Sequence, residues 1–339
     1  MANEPRSAKE FAKELVNNTV PANRWNGEQA PEAWQKEARQ TLASLLGLQR
    51  FTPCAPNVRV EFTRPFGPHT ETRFTFESEA GWVTPCHMLT PEGTPKGVML
   101  CLQGHSTGMH NSMGRALYPG DVEDIESGDR DFAVQAVKRG YVAVALEQRA
   151  FGECGGTPQP DCQHAGLLAI MAGRTLLGMR VWDVKRAVEV LKTFFGLDGL
   201  PFYCMGNSGG GTATVYAAAL LPELAGAIPS CSVCTWERSI VFRQHCICNY
   251  VPDIARHFDM GDIAALIAPR PYVQVNGRDD AIFLLDGAEA AFNGAKRVYD
   301  AMGAGENCRF VIGEGIHRFY AAPAWKAFEE ILNNREAKL

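Results

Sequence analysis

The pentapeptide Gly206-Asn207-Ser208-Gly209-Gly210 concentrates more chemistry than any other stretch of this sequence. A serine with glycines two residues to either side fits a sharp turn from strand to helix. Side chains at Gly206 and Gly210 would have no room there, and the serine hydroxyl is left exposed. The flanks agree: residues 201–205 read as a short buried strand, and residues 212–220 as a small-residue helix whose N-terminus favours negative charge beside Ser208. A serine hydroxyl becomes a nucleophile only when a base takes its proton, so a histidine is needed. For a serine on such a turn the chain order is serine, acid, histidine. His245, His257 and His317 all follow it. His317 fits best, because Gly313-Glu314-Gly315-Ile316-His317 follows the apolar run 310–312 and precedes the last helical segment. His245, beside Cys246, Cys248 and Asn249, better suits a structural or substrate-contacting role, and His257 a solvent-facing one.

The acid that orients the histidine should follow a strand lying between serine and histidine. Residues 272–275 lead into Asn276-Gly277-Arg278-Asp279-Asp280, so Asp280 is the expected acid, with Asp279 as its substitute. Acyl transfer also needs donors for a tetrahedral oxyanion, each typically worth about 10²- to 10³-fold in rate. The Gly209 N–H supplies one by position. The second is assigned to the backbone of His105, in the glycine turn Gln103-Gly104-His105-Ser106-Thr107-Gly108. His245, Tyr250 and Trp236 are candidate substrate contacts, with Phe242 and Tyr320 as further aromatic surfaces for a sugar or an aromatic group.

Cys231-Ser232-Val233-Cys234, with His245, Cys246 and Cys248 close behind, offers zinc-type donors. The spacing matches no standard zinc finger, and Cys231 and Cys234 follow a core strand where small apolar residues belong. The cluster is therefore read as holding no metal, and no cofactor is expected.

The elements that must position these residues form a recognisable alternation. Short apolar runs at 97–102, 141–146, 202–205, 226–229, 272–275 and 310–312 are separated by helical segments at 131–138, 177–195, 211–220, 287–302 and 322–332. That is the pattern of a mostly parallel sheet covered by helices on both faces. Residues 58–90 alternate like antiparallel strands at one sheet edge. Before them, Pro31 opens an amphipathic helix carrying Trp34, Ala38, Leu42, Leu45 and Leu46, with Gly47 as its C-cap. The expected organisation is an N-terminal helical extension over 1–50, packed on a catalytic domain over 51–339. The acidic stretch 121–131 reads as a solvated loop.

Composition narrows the function classes. A net charge of −5 without a basic stripe argues against nucleic acid as a partner. The start MANEPRSAKEFAKEL lacks the apolar run of a secretory leader, and no segment approaches the roughly 20 apolar residues of a membrane span. A cytoplasmic location without membrane partners is expected. Eleven cysteines, an odd number in a long chain, are expected to be mostly reduced and buried.

Taken together, Gln103-Gly104-His105, Glu147-Gln148-Arg149-Ala150-Phe151-Gly152-Glu153, the turn at 206–210, Gly277-Arg278-Asp279-Asp280 and Gly315-Ile316-His317 resemble the acetyl xylan esterase and dienelactone hydrolase-like branch of the α/β-hydrolase superfamily. The segment His245-Cys246-Ile247-Cys248-Asn249-Tyr250-Val251-Pro252 and the Trp34 helix also look like features of a bacterial acetyl xylan esterase-like subgroup. The resemblance implies an α/β-hydrolase fold and a metal-independent carboxylic ester hydrolase working through an acyl-enzyme on Ser208. Its substrate would be a small-molecule or carbohydrate ester with a small acyl group such as acetyl. The chain departs from this branch in two places. It has serine where dienelactone hydrolases use cysteine, and Ala150 where relatives commonly carry glycine. Peptidase or acyltransferase activity on the same triad is the alternative.

Overall fold

The computed structural model describes residues 7–156 and 158–337. Two helices, α1 (Ala8–Asn17) and α2 (Pro31–Leu45), precede three strands, β1 (Arg59–Phe66), β2 (His69–Glu79) and β3 (Trp82–Thr90). Then come β4 (Val98–Leu102), α3 (Asp121–Glu126), α4 (Phe132–Lys138), β5 (Val142–Leu146), α5 (Cys162–Met171) and α6 (Leu176–Thr193). The chain continues through β6 (Phe202–Asn207), α7 (Gly209–Leu220), β7 (Leu224–Ser230), α8 (Ile254–His257) and α9 (Met260–Ala265). It closes with β8 (Tyr272–Gly277), α10 (Leu285–Ala301), β9 (Cys308–Gly313) and α11 (Ala321–Glu336).

The strands form one sheet in the order β1-β2-β3-β5-β4-β6-β7-β8-β9. The β1–β2, β2–β3 and β3–β5 pairs are antiparallel, and every pair from β5–β4 to β8–β9 is parallel. β4 and β5 are buried along their whole length, as strands covered on both faces must be. Their period of two divides the core: Val98, Leu100 and Leu102 face the layer of α2, α6, α7 and α9, while Met99 and Cys101 face α4 and α11. Helix α7 can be buried on nearly all sides because Gly, Ala and Thr make up most of it.

Helix α2 enters the larger core through Trp34, Ala38, Leu42 and the following Leu46. Gln35 Nε2 donates to the Ala265 and Ala268 carbonyls, and Arg39 to those of Ala219 and Leu266. Gly47, just past α2, takes φ 74°, the left-handed conformation of a C-terminal cap.

Three expectations change. The segment 121–131 is not simply a solvated loop: its start is helix α3, and Asp121 is buried, accepting hydrogen bonds from Thr107 Oγ1 and the amides of Leu117 and Tyr118. A carboxylate with that many donors can leave water. His257 is half-buried rather than solvent-facing, sharing a 2.8 Å hydrogen bond through Nδ1 with Asn23 Oδ1. Helix α5 is an addition to the expected helical segments, while α1 falls within the expected extension and has no buried residue. All eleven cysteines are free thiols, eight of them buried. Among the described residues no helix is long and apolar enough to cross a membrane.

Candidate active site

Because β6, β8 and β9 run parallel, the residues that follow them emerge at one edge of the sheet. Ser208 stands directly after β6 and before α7, at φ 56° and ψ −123°. This positive φ is costly for a non-glycine residue and persists only where the surroundings enforce it. They do so here. The Ser208 N–H donates to Ser230 O at 2.9 Å, the Ser208 carbonyl starts α7 by accepting from Thr212 N at 2.8 Å, and a Cβ at Gly206 or Gly210 would overlap the Leu102 carbonyl.

Asp280 follows β8 and is buried, whereas Asp279 beside it is exposed. Asp280 Oδ2 lies 2.9 Å from His317 Nδ1, and Oδ1 accepts from the amides of Ile282 and Phe283 at 2.8 and 3.1 Å. Burial pushes this carboxyl up, but the His317 ring and the two amides more than offset it and hold Asp280 below the ordinary carboxylate range. The imidazole stacks on Phe283, 6.0 Å between centroids and 17° between planes. The loop carrying it is fastened on both sides. Tyr320 Oη donates to Ile316 O at 2.7 Å, and Ser230 Oγ and Cys231 Sγ approach Arg318 O at 3.3 and 3.2 Å. Ser230 thus ties the histidine loop to the strand end that holds Ser208. No hydrogen bond joins Ser208 to His317 among the described residues; in ligand-free enzymes this contact is often long.

The loop after β4 lies against the serine turn. A Cβ on Gly104 would be 2.7 Å from Asn207 O and 3.1 Å from Ser208 Cβ, so only glycine allows this approach. Next to it the His105 ring covers Gly209, whose Cβ would come within 2.9 Å of the imidazole. Neither the Gly209 nor the His105 N–H donates to another backbone carbonyl among the described residues.

Behind this loop is a buried polar pair that the sequence did not single out. Glu147 Oε1 accepts from Gln103 Nε2, and Oε2 accepts from the amides of Met109 and Glu153. Burial pushes the Glu147 carboxyl up to about 7, against the pull of those amides. The folded chain therefore holds a proton that the unfolded chain releases near pH 4.5. Stability falls as pH rises from there to about 7 and then levels off, a loss on the order of 3 kcal/mol. Glu147→Gln is expected to flatten this slope in urea midpoints measured from pH 5 to 8; a slope equal to that of the parent protein would contradict the assignment.

The three candidate substrate contacts occupy different settings. His245 stacks edge-on against Phe283, 5.2 Å between centroids, and so stands one ring away from His317. Burial, with Arg243 and His317 adding to it, drives the His245 imidazole down to about 4, so it is neutral at pH 7. Tyr250 is partly exposed, and its hydroxyl accepts from His245 N at 3.3 Å. Trp236 is mostly core, its indole N–H bound to Phe258 O at 2.5 Å. All three line a groove of about 860 Å³ between α1 and residues 236–256, to which Phe242 and Ile247 also contribute. Ser208 and His317 do not line this groove; the His245–Phe283–His317 rings connect the two regions. Tyr320 is buried and serves the His317 loop.

The cysteines implicated in a metal site do not converge as their spacing would have it. Cys231 sits at Arg318 O and Cys234 Sγ at Leu284 O, 3.5 Å away, while Cys246 and Cys248 turn toward His105 and Cys162. Cys162, overlooked in the sequence, opens α5 outside any apolar strand, and that placement was its one visible signal.

Solved structures agree with this architecture. No family model matches the chain. A Bacillus subtilis candidate hydrolase, YtaP, is 25% identical over 240 residues, spanning 69% of this chain and 77% of its own length. A Bacteroides fragilis candidate acetyl xylan esterase superposes with a TM-score of 0.76 at 19% identity, over 92% of this chain and 83% of its own. A CE15 glucuronoyl esterase from Teredinibacter turnerae superposes with a TM-score of 0.67 at 16% identity, over 98% of this chain and 93% of its own. The chain has the α/β-hydrolase fold.

Proposed function

We propose that this chain is a serine hydrolase of carboxylic esters, acting through an acyl-enzyme on small-acyl or carbohydrate-linked esters. The observation that carries the reading is the 2.9 Å Asp280–His317 pair, at the sheet edge where Ser208 is held at positive φ. In the reaction, Ser208 Oγ attacks the ester carbonyl carbon while His317 Nε2 takes its proton. Asp280 keeps the other ring proton on Nδ1 and stabilises the imidazolium. The N–H groups of Gly209 and His105 receive the oxyanion. His317 returns its proton to the departing alcohol oxygen, and water then releases the acid by the same steps in reverse roles. Carbohydrate-linked esters are favoured because the neighbouring structures are named acetyl xylan and glucuronoyl esterases, and because Phe242, Tyr250 and His245 offer a groove for a large alcohol half.

The test is a substrate panel run with fluorophosphonate labelling. Labelling at Ser208 is expected, with turnover highest on acetylated xylo-oligosaccharides or uronic acid esters and declining on p-nitrophenyl esters of longer acyl chains. Absence of labelling would refute the serine mechanism. Dominant cleavage of aminoacyl amides, or acyl transfer to added alcohols outrunning hydrolysis, would replace the esterase reading by peptidase or acyltransferase.

A further inference from the structure

Beside the candidate oxyanion loop, four soft or borderline donor atoms converge from three segments of the chain. His105 Nε2 and the Sγ atoms of Cys162, Cys246 and Cys248 all lie within 4.8 Å of one another. Nε2 is 3.4 Å from Cys248 Sγ and 3.9 Å from Cys162 Sγ. Zinc bonds of about 2.3 Å to sulfur and 2.0–2.1 Å to nitrogen, set tetrahedrally, place S and N about 3.5 Å apart. The two measured separations bracket that value. We propose that His105, Cys162, Cys246 and Cys248 form a closed tetrahedral site for a divalent metal ion of the zinc class.

Charge balance supports it independently. Arg180 is wholly buried, and the ionisable groups that act on it are the thiols of Cys162, Cys246 and Cys248. Its guanidinium donates twice to Arg149 O, lies 4.0 Å over the Phe151 ring, and points Nη2 at Cys162 Sγ from 3.3 Å. A buried guanidinium needs a counter-charge. Zinc with three thiolates and one neutral imidazole carries a net charge of −1, which Arg180 cancels. The surroundings have the form of a structural centre, because all four positions come from protein and the shell is apolar, built from Ala150, Phe151, Leu176 and Ile247. Asn249 Nδ2 approaches Cys248 Sγ at 3.7 Å, and its Oδ1 accepts from Thr212 of α7. The ion would pin the His105 ring, and through it the loop beside Ser208, to α5 and the 246–249 turn. It has no position left for substrate. The expectation of no metal is revised on these grounds, and the site stands whether or not Ser208 is a nucleophile.

The chain purified without a polyhistidine tag is expected to contain about one zinc per molecule by elemental analysis. After chelation and reduction, Co²⁺ should produce the intense visible bands and near-ultraviolet charge transfer of tetrahedral thiolate-bound cobalt. Cys246→Ser, at a half-exposed position, and Cys248→Ser should each weaken Zn²⁺ by more than the 10- to 100-fold typical of losing a supporting partner, whereas Cys234→Ser should not. Titration of unmodified apo-protein with Co²⁺ requires no variant, so a folding defect in one cannot mask the answer. Substoichiometric zinc with a weak, octahedral cobalt spectrum, or a disulfide among Cys162, Cys246 and Cys248 under native purification, would overturn the site.

Discussion

Ser208→Ala should lower hydrolysis of any ester the chain accepts by about 10⁴-fold or more and abolish fluorophosphonate labelling, with thermal stability held or slightly raised. The loss is large because alanine leaves no hydroxyl at the position where the turn after β6 presents one. Stability is spared because the contacts that fix the turn are made by backbone: Ser208 N to Ser230 O, and Ser208 O to Thr212 N. Alanine keeps both, and the positive φ, unfavourable for serine, is no worse for it. The check is kcat/KM on the best substrate beside a thermal melt. Residual activity within tenfold of the parent would show that the chemistry is done elsewhere.

The second large effect separates two neighbouring carboxylates. Asp280→Asn should lower kcat by about 10⁴-fold, since an amide facing His317 Nδ1 favours the tautomer in which Nε2 already carries a proton and cannot act as base. Asp279→Asn should leave kcat nearly unchanged, because that side chain is exposed and its residue meets the histidine loop through its backbone, N to Gly315 O at 2.8 Å. KM should move little in either variant, as neither carboxylate is placed to touch substrate. Equal losses in the two, or a larger one at Asp279, would reassign the acid.

What could be read in advance follows from where the information lies. Parallel strands buried on both faces are nearly uninterrupted apolar runs, so β4 to β9 were visible within a residue or two, and with them the order serine, acid, histidine. Asp280 could be preferred over Asp279 from the form of the turn, but one residue along a turn redirects a side chain, and only folding buries Asp280 against His317 and leaves Asp279 exposed. Asp121 looked like part of a solvated acidic run because its donors, the amides of Leu117 and Tyr118, have no signature in residue type. The four-donor cluster was half legible: Cys246 and Cys248 announced themselves by spacing, but Cys162 and His105 reach them only through folding. Glu147 stood out only through a resemblance and Gln103 only as the start of the glycine turn, since their pairing across β4 and β5 is a matter of sheet order.

Helix α2 bears on how this molecule comes apart. Gln35 and Arg39 occupy carbonyls at the tail of α7 and in the stretch closing α9, and Trp34 and Leu42 lie in the same core as β4. Peeling α2 away would strand those carbonyls and open the core at once, so local fraying stops before Pro31. The smallest cooperative unit therefore extends beyond residues 51–339, and the helix set apart as an extension is committed at the same unfolding step as the strand that leads into Ser208.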